Sequence, residues 1–171
     1  MRTQNGYVLA CKAKCNKPHV VDSGQPAPHA LLGWIIVSAK EPAHKNRSRH
    51  ELSGVFGLRN FGINLTTLAP GGSSALFHRH SRQDEFIYML EGDLVLVTDN
   101  GEQRLQPGMC FGFAAGATGH HLINRSDKEA TYLEVGDRSD GDEVSYPSDD
   151  LQAVLGPDRK WIFAHKDGTP Y

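Results

Sequence analysis

The chain has little cysteine, no long apolar run and no dominant charge. Three cysteines in 171 residues, an odd number, suggest no disulfide framework, so a reducing cytoplasmic setting is expected. The longest apolar run, Ala30 to Val37, is about half of what a membrane-spanning helix needs. Val8-Leu9-Ala10-Cys11 has the form of a lipoprotein cleavage site, but the apolar stretch before it is too short for a signal sequence. No membrane partner is expected. The net charge of −2 gives no general pull toward nucleic acid. A Ser-His-Asp set, a Gly-rich phosphate loop, a dinucleotide fingerprint and a repeat of solenoid length are all missing.

What is present is ordinary globular composition. Charged residues make up 22%, which excludes intrinsic disorder as the whole answer. The length suits one domain with extensions at its ends. Charge is unevenly spread: residues 1–60 carry nine Lys/Arg against three Asp/Glu, and residues 61–171 carry nine against seventeen. No nucleic-acid motif accompanies the basic part. It is read as lying on the acidic body of its own fold or of a second copy.

Residues 1–55 lack a clear period and are broken by Pro18, Pro26, Pro28 and Pro42. They read as an N-terminal extension, with Ala30 to Val37 as one buried strand and residues 40–51 as a polar, basic loop. From Phe61 the texture changes. Runs rich in Val, Ile, Leu, Phe and Tyr recur every eight to twelve residues between turn signals. Strands are predicted at Phe61–Leu68, Ala75–His80, Glu85–Leu90, Asp93–Thr98, Gln103–Leu105, Met109–Phe113, Gly119–Ile123 and Ala130–Gly136. The turns are Pro70-Gly71-Gly72, Glu91-Gly92, Asn100-Gly101 and Pro107-Gly108. Such spacing leaves no room for a long helix and predicts an all-β sandwich or small barrel over residues 56–138. Residues 139–171 are an acidic, loop-like tail. A helical turn is predicted at Leu151–Leu155 and a last strand at Trp161–Ala164, and the aromatics Trp161, Phe163 and Tyr171 predict docking on the barrel or on a partner's.

Three histidines and one carboxylate carry the chemistry. His78 and His80 are two apart on a predicted strand, so both imidazoles leave from one face. Glu85 opens the next strand after a short polar link, and His120 opens another. If these strands adjoin in a barrel, three neutral imidazoles and one carboxylate meet. That mix suits one divalent transition metal, Fe, Mn, Ni, Zn or Cu, and suits Ca poorly. Four protein ligands on an octahedral ion leave two positions open, as a catalytic metal needs.

The same residues resemble a known family. Gly72, five residues, His78-Arg79-His80, four residues, Glu85, six residues and Gly92 match the first cupin motif at every fixed position. Gly108, five residues, Ala114-Ala115-Gly116, His120, three residues and Asn124 match the looser second motif. Ala114 stands where the family usually has Pro, and one extra residue separates Gly116 from the histidine. His121 is therefore a rival ligand. His120 is preferred because it keeps the spacing to Asn124, and alternation then puts His120, Leu122 and Asn124 on one face. The ends, with Asp167 to Tyr171 as an Asp-Gly-x-Pro-Tyr tail, resemble small bacterial single-domain cupins of no firmly assigned reaction. The resemblance implies a jelly-roll-like antiparallel β-barrel with the metal inside, and often a homodimer. The lumen is expected to be an apolar sleeve with Glu85, Ile87 and Met89 pointing in and Leu76, His78 and His80 sharing a face.

Weaker signals have bland readings. Cys11, Cys15 and His19 sit four apart, but Pro18 and the missing fourth ligand argue against structural zinc. Cys110 is read as a small apolar residue in a strand. Tyr88 falls opposite Glu85, which gives it an outer-face packing role. Asn124 orients a ligand or satisfies buried backbone groups. The expected function is that of a metal-dependent enzyme acting on a small oxygen-bearing molecule by oxygenation, isomerisation, or lysis or decarboxylation. The alternative is a non-catalytic binder or sensor of a carboxylate or sugar-like ligand.

Overall fold

The computed structural model describes residues 46–171 and one short strand before them, β1 (Leu9–Ala10). The rest of the N-terminal extension, including the strand expected at Ala30–Val37 and the Cys11, Cys15 and His19 group, lies outside the described residues.

The fold is all-β and antiparallel. Its further strands are β2 (Arg47–Glu51), β3 (Phe61–Leu68), β4 (Arg79–His80), β5 (Glu85–Glu91), β6 (Leu94–Thr98), β7 (Gly101–Leu105) and β8 (Met109–Phe113). They continue with β9 (His120–Ile123), β10 (Ala130–Asp137), β11 (Glu143–Tyr146), β12 (Leu151–Leu155) and β13 (Trp161–Ala164). Three sheets result, ordered β1-β8-β5-β10-β3-β2, β13-β12-β11-β4 and β7-β6-β9. The described residues hold no α-helix, only a short 3-10 turn at Gly54–Phe56. None of them forms a helix long and apolar enough to cross a membrane.

Alternation places the core. On β5, Ile87 and Met89 are buried while Phe86 and Leu90 are exposed. On β3, Asn64, Thr66 and Leu68 are buried. Leu68, Ile87 and Met89 join Leu94, Leu96, Phe111 and Phe113 in one apolar core drawn from the six- and three-stranded sheets. A second, smaller core joins Val144, Tyr146, Leu151 and Ala153 to Leu76, Trp161 and Phe163. Trp161 and Phe163 of the tail thus pack on this chain's own sheet, while Tyr171 stays exposed and stacks on His165.

Gly92 shows what a turn residue does for the barrel. Its φ is 72°, and a Cβ there would lie 2.4 Å from the Glu129 carbonyl oxygen. Only glycine allows the β5–β6 link to press against the start of β10.

Four expectations need correction. Leu151–Leu155 is a strand, not a helical turn: Leu151 and Ala153 point into the second core, and both edges of the strand are paired. Residues 47–51, read as loop, form β2, because pairing with β3 overrides an all-polar sequence. The run Ala75–His80 is regular only at Arg79–His80, and single bridges tie Ser73 and His78 to β9. The β6–β7 turn is Asp99-Asn100, with Gly101 (φ 115°) already paired to Thr98. Of the two expected turn residues only Gly101 takes positive φ.

Candidate metal centre

The site forms where the three sheets meet. His78 and His80 leave the same face of the β4 segment, as period two requires. β4 is held on one side by β11, with Val144 opposite His80. On the other side the His78 and His120 backbones exchange hydrogen bonds, 3.1 Å for His78 N to His120 O and 2.8 Å for the reverse. Glu85 opens β5 opposite Phe113 and Gly136. The link Ser81–Asp84 is short enough to bring it back under both histidines.

The imidazoles converge on the carboxylate. His120 Nε2 lies 2.9 Å from Glu85 Oε2, and the Nε2 atoms of His78 and His80 lie 3.7 Å from the same oxygen. The ligand atoms of His78, His80 and Glu85 all lie within 4.8 Å of one another. His120 stands beside this trio through its contact with Glu85, buried and stacked face to face on Phe113 with ring centres 3.5 Å apart. His121 points elsewhere. Its ring meets the edge of Phe77, and its Nδ1 is 3.3 Å from the Ala75 carbonyl oxygen.

The far nitrogens say which tautomers are present. His78 Nδ1 faces the Leu76 carbonyl oxygen at 2.9 Å, and a carbonyl can only accept, so this nitrogen carries the proton. His80 Nδ1 faces Asp142 Oδ2 at 2.5 Å. Both Nε2 lone pairs are therefore turned toward Glu85. Glu85 Oε2 is buried and has no well-aligned donor, with His120 Nε2 2.9 Å away. A buried carboxylate oxygen faced by imidazole nitrogens whose far sides already donate fits a cation.

The charges at Glu85 and His120 point the same way. Burial opposes ionisation of Glu85, but the approach of His120 and His78 and the charge of His80 hold its carboxyl well below the usual range. Burial and repulsion from His78 and His80 outweigh Glu85 at His120, whose pKa is lowered. At His78 burial is outweighed by Glu85, the Leu76 carbonyl and the charge of Glu134, and its pKa is raised. An anionic carboxylate beside a neutral His120 is the state that binds metal.

Around the centre, Tyr146 lies along the His78 ring and Trp161 sets its edge to His80, each at 6.0 Å between ring centres. A narrow cleft reaches Glu85 and His120 past Arg79, Gln83 and Thr118. Tyr88 sits on the other face of β5, opposite Leu133 and Cys110. Asn124 is structural: its amide donates to the Leu68 and Lys128 carbonyls, and its oxygen accepts from Ser126. Sequence reasoning missed Asp142, which is fully buried against His80. It sits in a stretch read only as acidic loop, and the one local signal is Gly141, whose φ of 69° turns the chain inward just before it.

A family model described as a cupin domain matches residues 64–136. Among solved structures, the chain is similar to a cupin-superfamily sugar phosphate isomerase from Silicibacter pomeroyi at 40% identity and a TM-score of 0.70, over 75% of this chain and 82% of that one. It is similar to a protein from Acidithiobacillus ferrooxidans, provisionally described as a sugar phosphate isomerase, at 28% identity and a TM-score of 0.66, over 73% and 80%. A polyketide cyclase from Streptomyces resistomycificus matches at 25% identity and a TM-score of 0.51, over 57% and 69%. Among curated proteins, none matches the chain. With that degree of identity over most of a solved relative, and with both motifs on adjoining strands of an antiparallel barrel, the chain belongs to the cupin superfamily.

Proposed function

We propose that this cupin is a metal-dependent isomerase of a small phosphorylated sugar, with His78, His80, Glu85 and His120 holding one divalent transition metal. The observation that carries the reading is the convergence of three imidazole Nε2 atoms on the buried Glu85 Oε2. The 40% identity to a sugar phosphate isomerase narrows the reaction class from the broader set the donor types allow.

When bound, the ion supplies Lewis-acid polarisation of a carbonyl and a neighbouring hydroxyl. The chain supplies the rest. An aldose–ketose exchange moves a proton between adjacent carbons, so a titratable group must stand beside the centre without being a ligand. Glu134 is our candidate. It is on the inner face of β10, level with Ile87 and Asn64, and its charge is felt at His78. Its side chain stays 20% exposed and pairs with Arg49 at 2.8 Å. Arg49 is 46% exposed, which leaves its guanidinium open to a substrate anion as well. The walls of Phe113, Tyr146 and Trp161 exclude water from the ligand side.

The test is to load the protein separately with Mn(II), Fe(II), Ni(II) and Zn(II) and follow interconversion of three- to six-carbon aldose and ketose phosphates by NMR. Turnover that vanishes in Glu134→Gln while metal content persists supports the reading. Full metal occupancy with no turnover of any such compound overturns the isomerase in favour of a binder. A homodimer is part of the same proposal, supported by Phe86 and Leu90, exposed at 41% and 43% on the outer face of the six-stranded sheet. Size-exclusion chromatography with light scattering tests it.

A further inference from the structure

We propose that Asp142 is the positioning residue of the metal centre, fixing His80 as the Nδ1–H tautomer with its Nε2 lone pair aimed at the ion. The C-terminal segment, beyond the residues the family model matches, would then set the metal affinity. This rests on the metal reading above.

Three observations carry it. First, Asp142 is fully buried, and a buried carboxylate must find donors. Second, its two oxygens have separate tasks. Oδ1 accepts from the Arg82 N–H at 2.7 Å, the Ser81 hydroxyl at 3.2 Å and the Gln83 N–H at 3.3 Å. Those three donors fix the carboxylate's orientation and leave Oδ2 facing His80 Nδ1 at 2.5 Å. A carboxylate oxygen accepts, so the shared proton belongs to Nδ1, and the ring's other nitrogen is free to ligate. Third, the contact joins residues 62 apart, and it is built into the pairing of β11 with β4, since Val144 lies opposite His80. Asp142 is thus delivered by the strand that also brings Tyr146 to His78. His78 gets the same service from a backbone carbonyl. His120 has no such partner, since its Nδ1 is buried without one. Among the described side chains, Asp142 alone therefore accepts a hydrogen bond from the far nitrogen of a ligating imidazole.

Asp142→Asn separates this role from simple loop anchoring. The three donors still demand an oxygen at the Oδ1 position, so the amide nitrogen must face His80 Nδ1. Two donors cannot share that contact, and His80 is driven to the Nε2–H tautomer, which cannot ligate. Asp140→Ala is the control. It removes the ion pair with Arg159 that anchors the same loop and leaves every Asp142 contact in place.

The experiment titrates Co(II) and Ni(II) into the full-length protein and both variants by calorimetry, with apo melting temperatures measured alongside. Asp142→Asn is expected to weaken both metals about 10- to 100-fold while its apo form melts close to wild type, and Asp140→Ala to keep wild-type affinity. In parallel, long-range nitrogen–proton correlation on histidine-labelled wild-type protein should show His80 protonated on Nδ1. Equal affinity in Asp142→Asn and wild type overturns the proposal, and so does an equal loss in Asp140→Ala. An Nε2–H tautomer for His80 overturns it without any variant, which decides the matter should Asp142→Asn not fold. Failure of wild type to bind either metal brings down the metal reading itself, and this inference with it.

Discussion

The choice between His120 and His121 can be decided by thermal shift. The two histidines are adjacent in sequence but on opposite faces of β9. His120 Nε2 is 2.9 Å from Glu85, whereas His121 packs against Phe77. A ligand that binds only the folded state stabilises it by RT ln(1 + [L]/Kd), about 2.7 kcal/mol at a hundredfold excess over Kd. For a chain of this size 1 kcal/mol moves the melting temperature by roughly 2–4 °C, so saturating metal should raise it by roughly 5–11 °C. Each variant is compared with itself, with and without metal, so its basal losses cancel. Those losses differ. His120→Ala removes a buried ring stacked on Phe113 and should cost on the order of 2–4 kcal/mol in the apo protein. His121→Ala removes one edge-to-face contact, about 1 kcal/mol. The assay is differential scanning fluorimetry at pH 7.5 with Ni(II) and Zn(II), and with elemental analysis of the dialysed samples. His121→Ala should keep the full metal shift. His120→Ala should lose nearly all of it. The reverse pattern would show that the second motif is displaced by one residue in the folded protein, and it would refute the ligand set.

Three further outcomes follow from the fold. Asn124→Ala should destabilise by about 2–4 kcal/mol in chemical denaturation, because the Leu68 and Lys128 carbonyls and the Ser126 N–H lose their partner together. Gly92→Ala should cost a similar amount, since the new Cβ meets the Glu129 carbonyl at 2.4 Å and the residue must hold φ at 72°; a soluble variant melting within 2 °C of wild type would contradict the close approach. Asp137 tests pH dependence. Burial opposes its ionisation, but the N–H groups of Asp84 and Ser139 outweigh it, and its folded pKa is lowered. The unfolded chain therefore takes up the proton first on acidification. The stability Asp137 contributes is full above its unfolded pKa and is lost as pH falls through the folded one. The gap in melting temperature between wild type and Asp137→Ala should be constant from pH 7 to pH 5 and close below about pH 4.

The parts of the fold that were legible are the strands themselves, stated by composition and bounded by turn residues. Their faces were not: Phe86–Leu90 is apolar throughout, and on β3 the polar Asn64 and Thr66 are buried with Leu68 while Phe61 is exposed. His78, His80 and Glu85 were legible because a two-residue step on a strand and a four-residue link define a geometry without reference to anything distant. What stayed hidden depends on partners far along the chain. Arg47-Ser48-Arg49-His50-Glu51 has no apolar residue to mark a face, and it is a strand only because β3 offers an edge. Leu151–Leu155 does alternate, but Leu, Gln and Ala are equally good helix formers, and five residues cannot choose between the periods. Pairing with β11 and β13 decides it. Asp142 is the extreme case. One aspartate among many in an acidic stretch becomes part of the site only when β11 closes on β4.

That closure also explains why the centre sits where it does. β4, with His80, belongs to the four-stranded sheet, β5, with Glu85, to the six-stranded sheet, and β9, with His120, to the three-stranded one. The four ligand donors thus come from all three sheets, His78 and His80 together on the β4 segment, Glu85 on β5 and His120 on β9. Without a cation, the contact point is a buried carboxylate oxygen with no well-aligned donor, an arrangement that costs free energy in a dry interior. With one, the same atoms become a crosslink among three sheets that otherwise meet through two separate apolar cores. Since the sheets are themselves built from segments scattered between residues 47 and 164, neither half of the chain can form the centre alone. A bound metal would thus tie the three sheets together in an already folded barrel, with the C-terminal strands taking part through Asp142.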